Sequence, residues 1–173
     1  MKPIDARLVS DLLARLTESL SGDWALLGGA VLPLVGIQHR VTYDIDLAGP
    51  TDAPQVLELV ELAAGMGLPP EAVNQAAAFF LHRIEGWERH MIHVVAGARA
   101  RVFRPDATLY VRLKIGRLSD SDLADCLRYL EFAAAHGEPV DPDGLRRAVR
   151  AETRKRPAPE RAARLRTLLR ALG

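Results

Sequence analysis

The chain of 173 residues is long enough for one domain, or for one domain with a helical appendage. Apolar residues make up 49% and charged residues 26%, as in ordinary globular proteins, and no apolar run approaches the roughly 20 residues of a membrane span. The N-terminus has no signal-peptide pattern and the single cysteine, Cys126, allows no intrachain disulfide, so we expect a cytoplasmic protein that does not contact membranes.

The net charge of +1 conceals a strong asymmetry along the chain. Residues 144–173 carry 10 Lys and Arg against 2 Asp and Glu, a balance of +8, whereas residues 1–143 carry 13 against 20, a balance of −7. A basic block of this kind binds polyanions in many proteins, and it can equally dock onto the acidic surface of its own chain. The charge pattern leaves both interpretations open.

Amphipathic helices and short strands alternate in the first half of the chain. Apolar residues recur at helical spacing from Ile4 to Leu20, and a strand over 24–27 leads into a double glycine. The other predicted elements of this half are a helix ending near residue 35, a strand over 42–48, and helices over 54–66 and 69–78. Residues 79–90 mix strand-like and turn-like residues and predict no single element.

The second half is mainly helical. The apolar run from Met91 to Ala96 predicts a buried strand, and the chain is helical from Ala107 onward. The predicted helices cover residues 120–136, 142–155 and 160–172. We therefore predict an α+β fold, with a small mixed β-sheet in residues 1–105 and a C-terminal helical bundle with a basic tail in residues 106–173.

The most specific pattern lies between Leu26 and Ala48. A predicted strand ends in Gly28-Gly29, and the next one contains Asp44-Ile45-Asp46. Alternate side chains of a strand share a face, so the two carboxylates would stand roughly 6–7 Å apart along the backbone. Carboxylates this close favour a cation between them, and Mg²⁺ accepts one or two of them. Glycines let the backbone approach a phosphate closely. The alternatives are an exposed acidic strand face and a simple Gly-Gly turn.

These residues resemble a family signature. The double glycine, a spacer and Arg40-x-Thr42-x-Asp44-Ile45-Asp46 resemble the DNA polymerase β-type nucleotidyltransferase superfamily, most of all the bacterial abortive-infection toxins and their uncharacterised relatives. The resemblance implies that the protein moves a nucleoside monophosphate from a nucleoside triphosphate to an RNA (tRNA-like) or protein acceptor. The implied nucleotide-binding residues are Gly28, Gly29, Arg40 and Thr42, and the implied catalytic ligands of Mg²⁺ or Mn²⁺ are Asp44 and Asp46.

A third acidic residue, which the family usually carries on a later strand, is missing. The chain has Ile92-His93-Val94 in the corresponding apolar frame. A neutral histidine has the chemistry of a base or a nitrogen ligand, although a histidine in a strand is more commonly a hydrogen-bonded core residue. The substitution favours a second hypothesis, in which a catalytically degenerate protein of this fold acts as a binding or regulatory partner.

The resemblance extends to Lys114 and to the Asp-apolar-x-Asp step from Asp122 to Asp125. Only 3 of the 23 basic residues are lysines, and a lysine provides a compact point charge for phosphate. We therefore expect Lys114 to be catalytic and to neutralise charge on the phosphates, with an ordinary exposed helix lysine as the alternative. Ser119 and Asp122 predict a capping box, and Asp125 is placed to pair with Arg128.

The basic end suggests a binding partner. Arg146, Arg147 and Arg150 fall on one stripe of a helix, and this stripe is predicted either to bind an RNA acceptor or to clamp acidic surface of the same chain. The resemblance also implies an antitoxin protein as a partner. A dinucleotide-binding unit is excluded, because Gly28-Gly29-Ala30 lacks the third glycine of that fingerprint.

Overall fold

The computed structural model describes residues 3–38 and 40–173, which form eight α-helices and one five-stranded mixed sheet. The prediction of an α+β fold is confirmed. Within these ranges no helix combines the length and apolar character that crossing a bilayer requires. The chain divides into two compact units, Met1–Pro105 and Asp106–Gly173.

The first unit contains the whole sheet. Its strands are β1 (Gly22–Leu27), β2 (Ile45–Ala48), β3 (Val73–Asn74), β4 (Met91–Ala96) and β5 (Ala100–Pro105). Its helices are α1 (Ala6–Ser19), α2 (Val31–Leu34), α3 (Ala53–Gly65) and α4 (Ala76–Leu81), with 3₁₀ turns at Gly28–Ala30, Pro70–Ala72 and Trp87–His90. The strand order is β3-β2-β1-β5-β4.

The central strand, β1, determines the arrangement of the first unit. It pairs antiparallel with β2 and parallel with β5, and β2 pairs parallel with β3. Its last four residues, Trp24 to Leu27, are all buried, which is the pattern of a strand covered on both faces. Helix α1 packs against β4 and β5, and its N-cap Asp5 accepts a hydrogen bond from the Leu8 N–H at 2.8 Å.

Two parts of the sheet differ from the sequence prediction. The sequence does not predict strand β5, because Arg101, Arg104 and Pro105 interrupt its apolar pattern; pairing with β1 and β4 forms it nonetheless. The predicted helix over 69–78 is wrong. Its residues form a 3₁₀ turn, the short strand β3 and the beginning of α4, because β3 pairs with β2 and the Asn74 side chain accepts the Ala76 N–H at 3.1 Å.

The second unit is a four-helix assembly with its own apolar core. Its helices are α5 (Ala107–Lys114), α6 (Asp120–His136), α7 (Pro142–Arg154) and α8 (Pro159–Ala171). The buried core residues include Val111, Cys126, Leu145, Val149, Leu165 and Leu168. Burial raises the pKa of the Cys126 thiol to about 12, so the cysteine is an unreactive core residue.

The contact between Gly49 and Trp24 provides a test of the packing beside the sheet. A Cβ added at Gly49 would overlap the Trp24 ring, which is only 1% exposed. We therefore expect Gly49→Ala to lower the free energy of unfolding by about 2 kcal/mol or more in urea denaturation. Gly65 ends α3 with no atom within 4 Å of an added Cβ, so Gly65→Ala should instead stabilise the protein, by up to about 1 kcal/mol. Equal effects of the two substitutions would contradict this packing.

Candidate functional site

The glycine pair of the first unit lies directly against the predicted polar site residues. A Cβ added at Gly28, whose φ is +64°, would overlap the Asp46 carboxylate. A Cβ added at Gly29 would lie 2.8 Å from Nη2 of Arg40 and 3.0 Å from Oγ1 of Thr42. The positive φ and the overlap together require glycine at position 28, whereas a side chain at position 29 would have to displace the Arg40 guanidinium.

Strand pairing brings these residues to one place. Leu27, the last residue of β1, pairs with Asp46 of the antiparallel strand β2, and the Gly28–Ala30 turn follows immediately. The segment before β2 is held by a single bridge between Thr42 and Ile4, whose N–H donates to the Thr42 carbonyl at 3.0 Å. The end of β1 and the beginning of β2 therefore form one polar cluster.

The two carboxylates of the cluster have different surroundings. The predicted strand over 42–48 begins only at Ile45, so Asp44 precedes β2 and is exposed, whereas Asp46 lies inside β2 and is half-buried. The buried hydroxyl Oγ1 of Thr42 donates to Oδ1 of Asp44 at 2.9 Å and thereby fixes the direction of that carboxylate. Thr42 and Asp44 thus form one hydrogen-bonded pair in the segment that leads into β2 and Asp46.

The donor atoms of the cluster suit a hard cation. Over residues 3–38 and 40–173, no three or more His, Cys, Asp and Glu side chains lie close enough together to hold a metal ion by themselves. Two carboxylates and a hydroxyl fit Mg²⁺ or Mn²⁺, because such ions bind one or two carboxylates and complete their coordination with water and phosphate oxygens. They do not fit a structural zinc site, which takes nitrogen and sulfur ligands.

His93 does not lie beside the acidic pair. It is on β4, and both β5 and β1 separate this strand from β2, a distance of about 14 Å at the usual strand spacing. Its exposed ring meets Phe103 edge-on, with 5.6 Å between centroids. The strand partners of Asp46 are Leu27 of β1 and Asn74 of β3. The polar side chain that pairs with Asp46 is therefore a neutral amide and not the histidine.

Lys114 belongs to the second unit, where two buried carboxylates bind it. Its Nζ lies 2.9 Å from Oδ1 of Asp122 and 3.0 Å from Oδ2 of Asp125, and these carboxylates are 1% and 0% exposed. The ammonium also lies 5.2 Å from the centroid of the Tyr110 ring, whose hydroxyl donates to Asp125. Lys114 is therefore the centre of a buried ionic network rather than an exposed helix lysine.

Asp122 is the most heavily bonded carboxylate of this network. Arg117 donates to both of its oxygens at 2.8 Å, and the N–H and Oγ of Ser119 donate to Oδ2 at 3.0 and 2.8 Å, which confirms the predicted capping box. Burial acts to raise the pKa of Asp122, but the hydrogen bonds of Arg117, the charge and hydrogen bond of Lys114 and the Ser119 N–H outweigh it and hold the pKa well below its usual range. Asp122 is thus ionised at neutral pH.

The expected pairing of Asp125 with Arg128 is wrong. Asp125 points into the core of the second unit and binds Lys114, whereas Arg128 is exposed and donates to Glu131 at 3.1 Å. The two residues are three positions apart on α6, but their side chains do not pair with each other. Asp125 binds Lys114 and not Arg128 because its side chain is buried, and the spacing of the two residues in the sequence does not reveal this burial.

The arginines of the basic end fall into two groups. Arg146 donates to the carbonyl oxygens of Leu172 and Gly173 at 2.6 and 2.7 Å, and Arg164 donates to the Leu118 carbonyl at 2.6 Å, so both fasten parts of the second unit to one another. Arg147 and Arg150 are exposed on α7. In the predicted stripe, Arg146 therefore binds other parts of the second unit, whereas Arg147 and Arg150 form an exposed basic surface.

Comparison with protein-family models, with curated proteins and with solved structures finds no match to this chain. The resemblance to the nucleotidyltransferases therefore depends on the signature residues of the sequence alone.

The buried network can be tested through Asp122. Because Asp122→Asn removes a carboxylate from the buried Lys114, which keeps only Asp125, we expect it to lower the free energy of unfolding at pH 7 by about 3 kcal/mol. The folded pKa of Asp122 is below the unfolded value of about 3.9, so its contribution is complete above that pH and is lost as the pH falls through the lower, folded pKa.

The matched control is Asp120→Asn on the same helix. The Asp120 side chain is 91% exposed, so this substitution should change the free energy of unfolding by less than about 0.5 kcal/mol. Urea denaturation from pH 7 down to about pH 2, well into the range below the unfolded pKa, measures both variants. A pH-independent difference between wild type and Asp122→Asn, or equal losses in the two variants, would contradict the network.

Proposed function

We propose that the first unit binds a nucleoside triphosphate together with Mg²⁺ or Mn²⁺ and transfers its nucleoside monophosphate to an acceptor hydroxyl. The observation that carries the proposal is the contact of Gly28 with Asp46 and of Gly29 with Arg40 and Thr42. The signature implies this combination for a phosphate-binding and metal-binding site, and the fold supports it by bringing all these groups to one end of the β1–β2 pair.

Each residue of the cluster has a distinct role in the proposal. Asp44 and Asp46 would hold the metal ion, which supplies positive charge to the phosphates when it is bound. The Gly28-Gly29 backbone allows phosphate oxygens to approach without steric hindrance. Arg40, whose guanidinium lies against Gly29, would provide the fixed positive charge that phosphate requires.

The proposed reaction is an in-line displacement at the α-phosphorus. The acceptor oxygen forms a bond to this phosphorus, the bond to the bridging oxygen of the β-phosphate breaks, and pyrophosphate leaves while the acceptor proton passes to water. The cluster contributes by positioning and by balancing charge. Lys114 is not part of the proposed set, because Asp122 and Asp125 already balance its ammonium charge.

The metal site predicts a gain of thermal stability on ligand binding. A nucleoside triphosphate with Mg²⁺ at a hundredfold excess over Kd should stabilise the protein by about 2.7 kcal/mol. The double variant Asp44→Asn with Asp46→Asn should lose this gain and keep the fold. The control Asp11→Asn, an exposed carboxylate of α1, should keep it. A shift that survives in the double variant, seen by differential scanning fluorimetry, would place the ligand elsewhere.

A second candidate function is that of a non-catalytic binding protein of this fold, and the neutral Asn74 beside Asp46 favours it. Asn74→Asp would place a third carboxylate next to Asp46 while keeping the oxygen that accepts the Ala76 N–H. We expect this variant to bind Mg²⁺ about tenfold more tightly, which corresponds to about 1.4 kcal/mol.

His93→Asp is the matched control, because it adds the same charge on a strand that is not adjacent to β2. Titration calorimetry compares the affinities, and labelled nucleotides with cellular RNA report transfer. Transfer by the wild type supports the enzyme, whereas transfer gained only in Asn74→Asp supports a wild type that the neutral Asn74 has made non-catalytic. Ligand binding without transfer in any of the three proteins favours the non-catalytic function.

The acceptor proposed is RNA, with Arg147 and Arg150 binding its phosphates. Arg147→Glu with Arg150→Glu should reduce the salt dependence of RNA binding by about 1.4 units of slope, about 0.7 for each phosphate that is no longer neutralised, without lowering stability. Arg146→Glu should instead destabilise the protein, because it breaks the bonds to the C-terminal carbonyls. Filter binding over a salt series measures this slope. If the double variant binds RNA as the wild type does, Arg147 and Arg150 do not contact its phosphates. The antitoxin partner stays a prediction of the resemblance.

A further inference from the structure

A cavity of about 300 Å³ lies in the first unit, and its lining does not include residues of the polar cluster. Its walls come from the strands β1, β2, β4 and β5 and from the segment that contains the end of α4 and the Trp87–His90 turn. The lining includes Ala25, Ala48, Leu81, Trp87, Met91 and Phe103. Its volume is at the lower end of the range of about 300–1,000 Å³ in which small-molecule sites occur, so it suits a small ligand.

Ala25, Ala48 and Phe103 of the cavity lining lie on the same face of the sheet as Asp46. Asp46 pairs with Leu27 and Ala48 pairs with Ala25, and alternate residues of a strand share a face. Ala25 also pairs with Phe103 of β5, which places the aromatic wall on that face. Ala48 is two residues beyond Asp46, about 7 Å along β2. These lining residues and Asp46 therefore share one face of the sheet.

The walls suit a flat aromatic ring. Trp24 adjoins the cavity, but its ring is 1% exposed and Gly49 covers it, so the aromatic surface of the cavity comes from Phe103 and Trp87. Trp87 is half-buried, with its ring 5.6 Å from that of His82. Aromatic side chains of this kind stack on nucleobases, and the stacking contributes about 1–3 kcal/mol per base.

Two carboxylates, Asp23 and Glu88, line the cavity, and they differ in whether other side chains of the protein already bind them. Asp23 accepts two hydrogen bonds from Arg101, at 2.8 and 2.7 Å, so both of its oxygens are engaged. Glu88 is exposed, and its carboxylate has no hydrogen bond or ion pair within the described parts of the chain. A carboxylate that lacks a protein donor accepts hydrogen bonds from an amino group of a ligand.

We infer that this cavity binds the base of the nucleotide, and that Glu88 selects bases that carry an exocyclic amino group, such as adenine and cytosine. The inference rests on the proposed function for the ribose and phosphates, which would lead from the cavity to the cluster at Gly28 and Asp46. Binding of the base itself requires only the cavity.

Tryptophan fluorescence tests the inference directly, because the chain contains 2 tryptophans and both line the cavity. Adenosine and cytidine, which carry no phosphate, should change the emission of the wild type in a saturable way. Inosine and uridine, in which a carbonyl replaces the amino group, should bind about tenfold more weakly, and Glu88→Gln should reduce this preference.

Three variants control for the wall of the cavity. Trp87→Ala should weaken adenosine binding about tenfold or more, whereas Trp87→Phe keeps an aromatic wall, leaves Trp24 as the reporter and should bind nearly as well as the wild type. Phe80→Ala removes a ring of α4 that is 57% exposed and does not line the cavity, so it should change nothing. Calorimetry with the same nucleosides checks that the optical signal reports binding.

The outcomes separate this inference from the proposed function. Asp44→Asn with Asp46→Asn should leave adenosine binding intact, because the nucleoside has no phosphate. If no nucleoside binds while Mg²⁺ with inorganic tripolyphosphate still stabilises the wild type, the base site is overturned and the proposed phosphate site stands. If adenosine binds but tripolyphosphate with Mg²⁺ has no effect, the cavity stands and the proposed function fails. Binding without any preference for amino-bearing bases overturns the role of Glu88.

Discussion

The candidate site depends on a steric constraint, the absence of room for a Cβ at two consecutive positions. Gly28 meets the Asp46 carboxylate and Gly29 meets Arg40 and Thr42 so closely that any side chain would displace them. The antiparallel pairing of β1 with β2 creates this closeness, since it sets Leu27 opposite Asp46. A turn that only reversed the chain would not need its backbone against a carboxylate and a guanidinium. The same constraint makes the cluster a suitable place for phosphate oxygens and a cation.

The second unit depends on a different interaction, the burial of a charged network. Lys114 on α5 binds Asp122 and Asp125 on α6, and these bonds join the two helices at the edge of an apolar core. Removing one partner of such a network leaves an uncompensated charge, so all its members are needed together. Arg117 and Ser119 complete the hydrogen bonds of Asp122. This arrangement gives the only lysine between residues 2 and 155 a structural role.

The sequence predicts well those elements whose start, end and apolar pattern are determined by residues close together in the chain. Helix α6 has its cap at Ser119 and its terminal Gly137 within its own segment, and the residues from Gly28 to Asp46 meet across one hairpin-like pair. The sequence does not reveal pairings between distant segments. Strand β3 forms because β2 is beside it, so Asn74 rather than a residue of β4 is the neighbour of Asp46. Lys114 and Asp122 lie on different helices, eight positions apart across a turn, so the i,i+3 and i,i+4 spacing within one helix does not predict their pairing.

The most direct test of the account is paramagnetic NMR with Mn²⁺ and a non-hydrolysable nucleoside triphosphate. Because Mn²⁺ broadens the signals of nearby nuclei most strongly, the account predicts the earliest broadening at the amides of Gly28, Gly29 and Asp46. The hairpin over residues 97–99, next to Gly22 at the opposite end of β1, should broaden last in the first unit. Earliest broadening at that hairpin, or uniform broadening across the first unit, would contradict a metal–nucleotide site at the glycine pair.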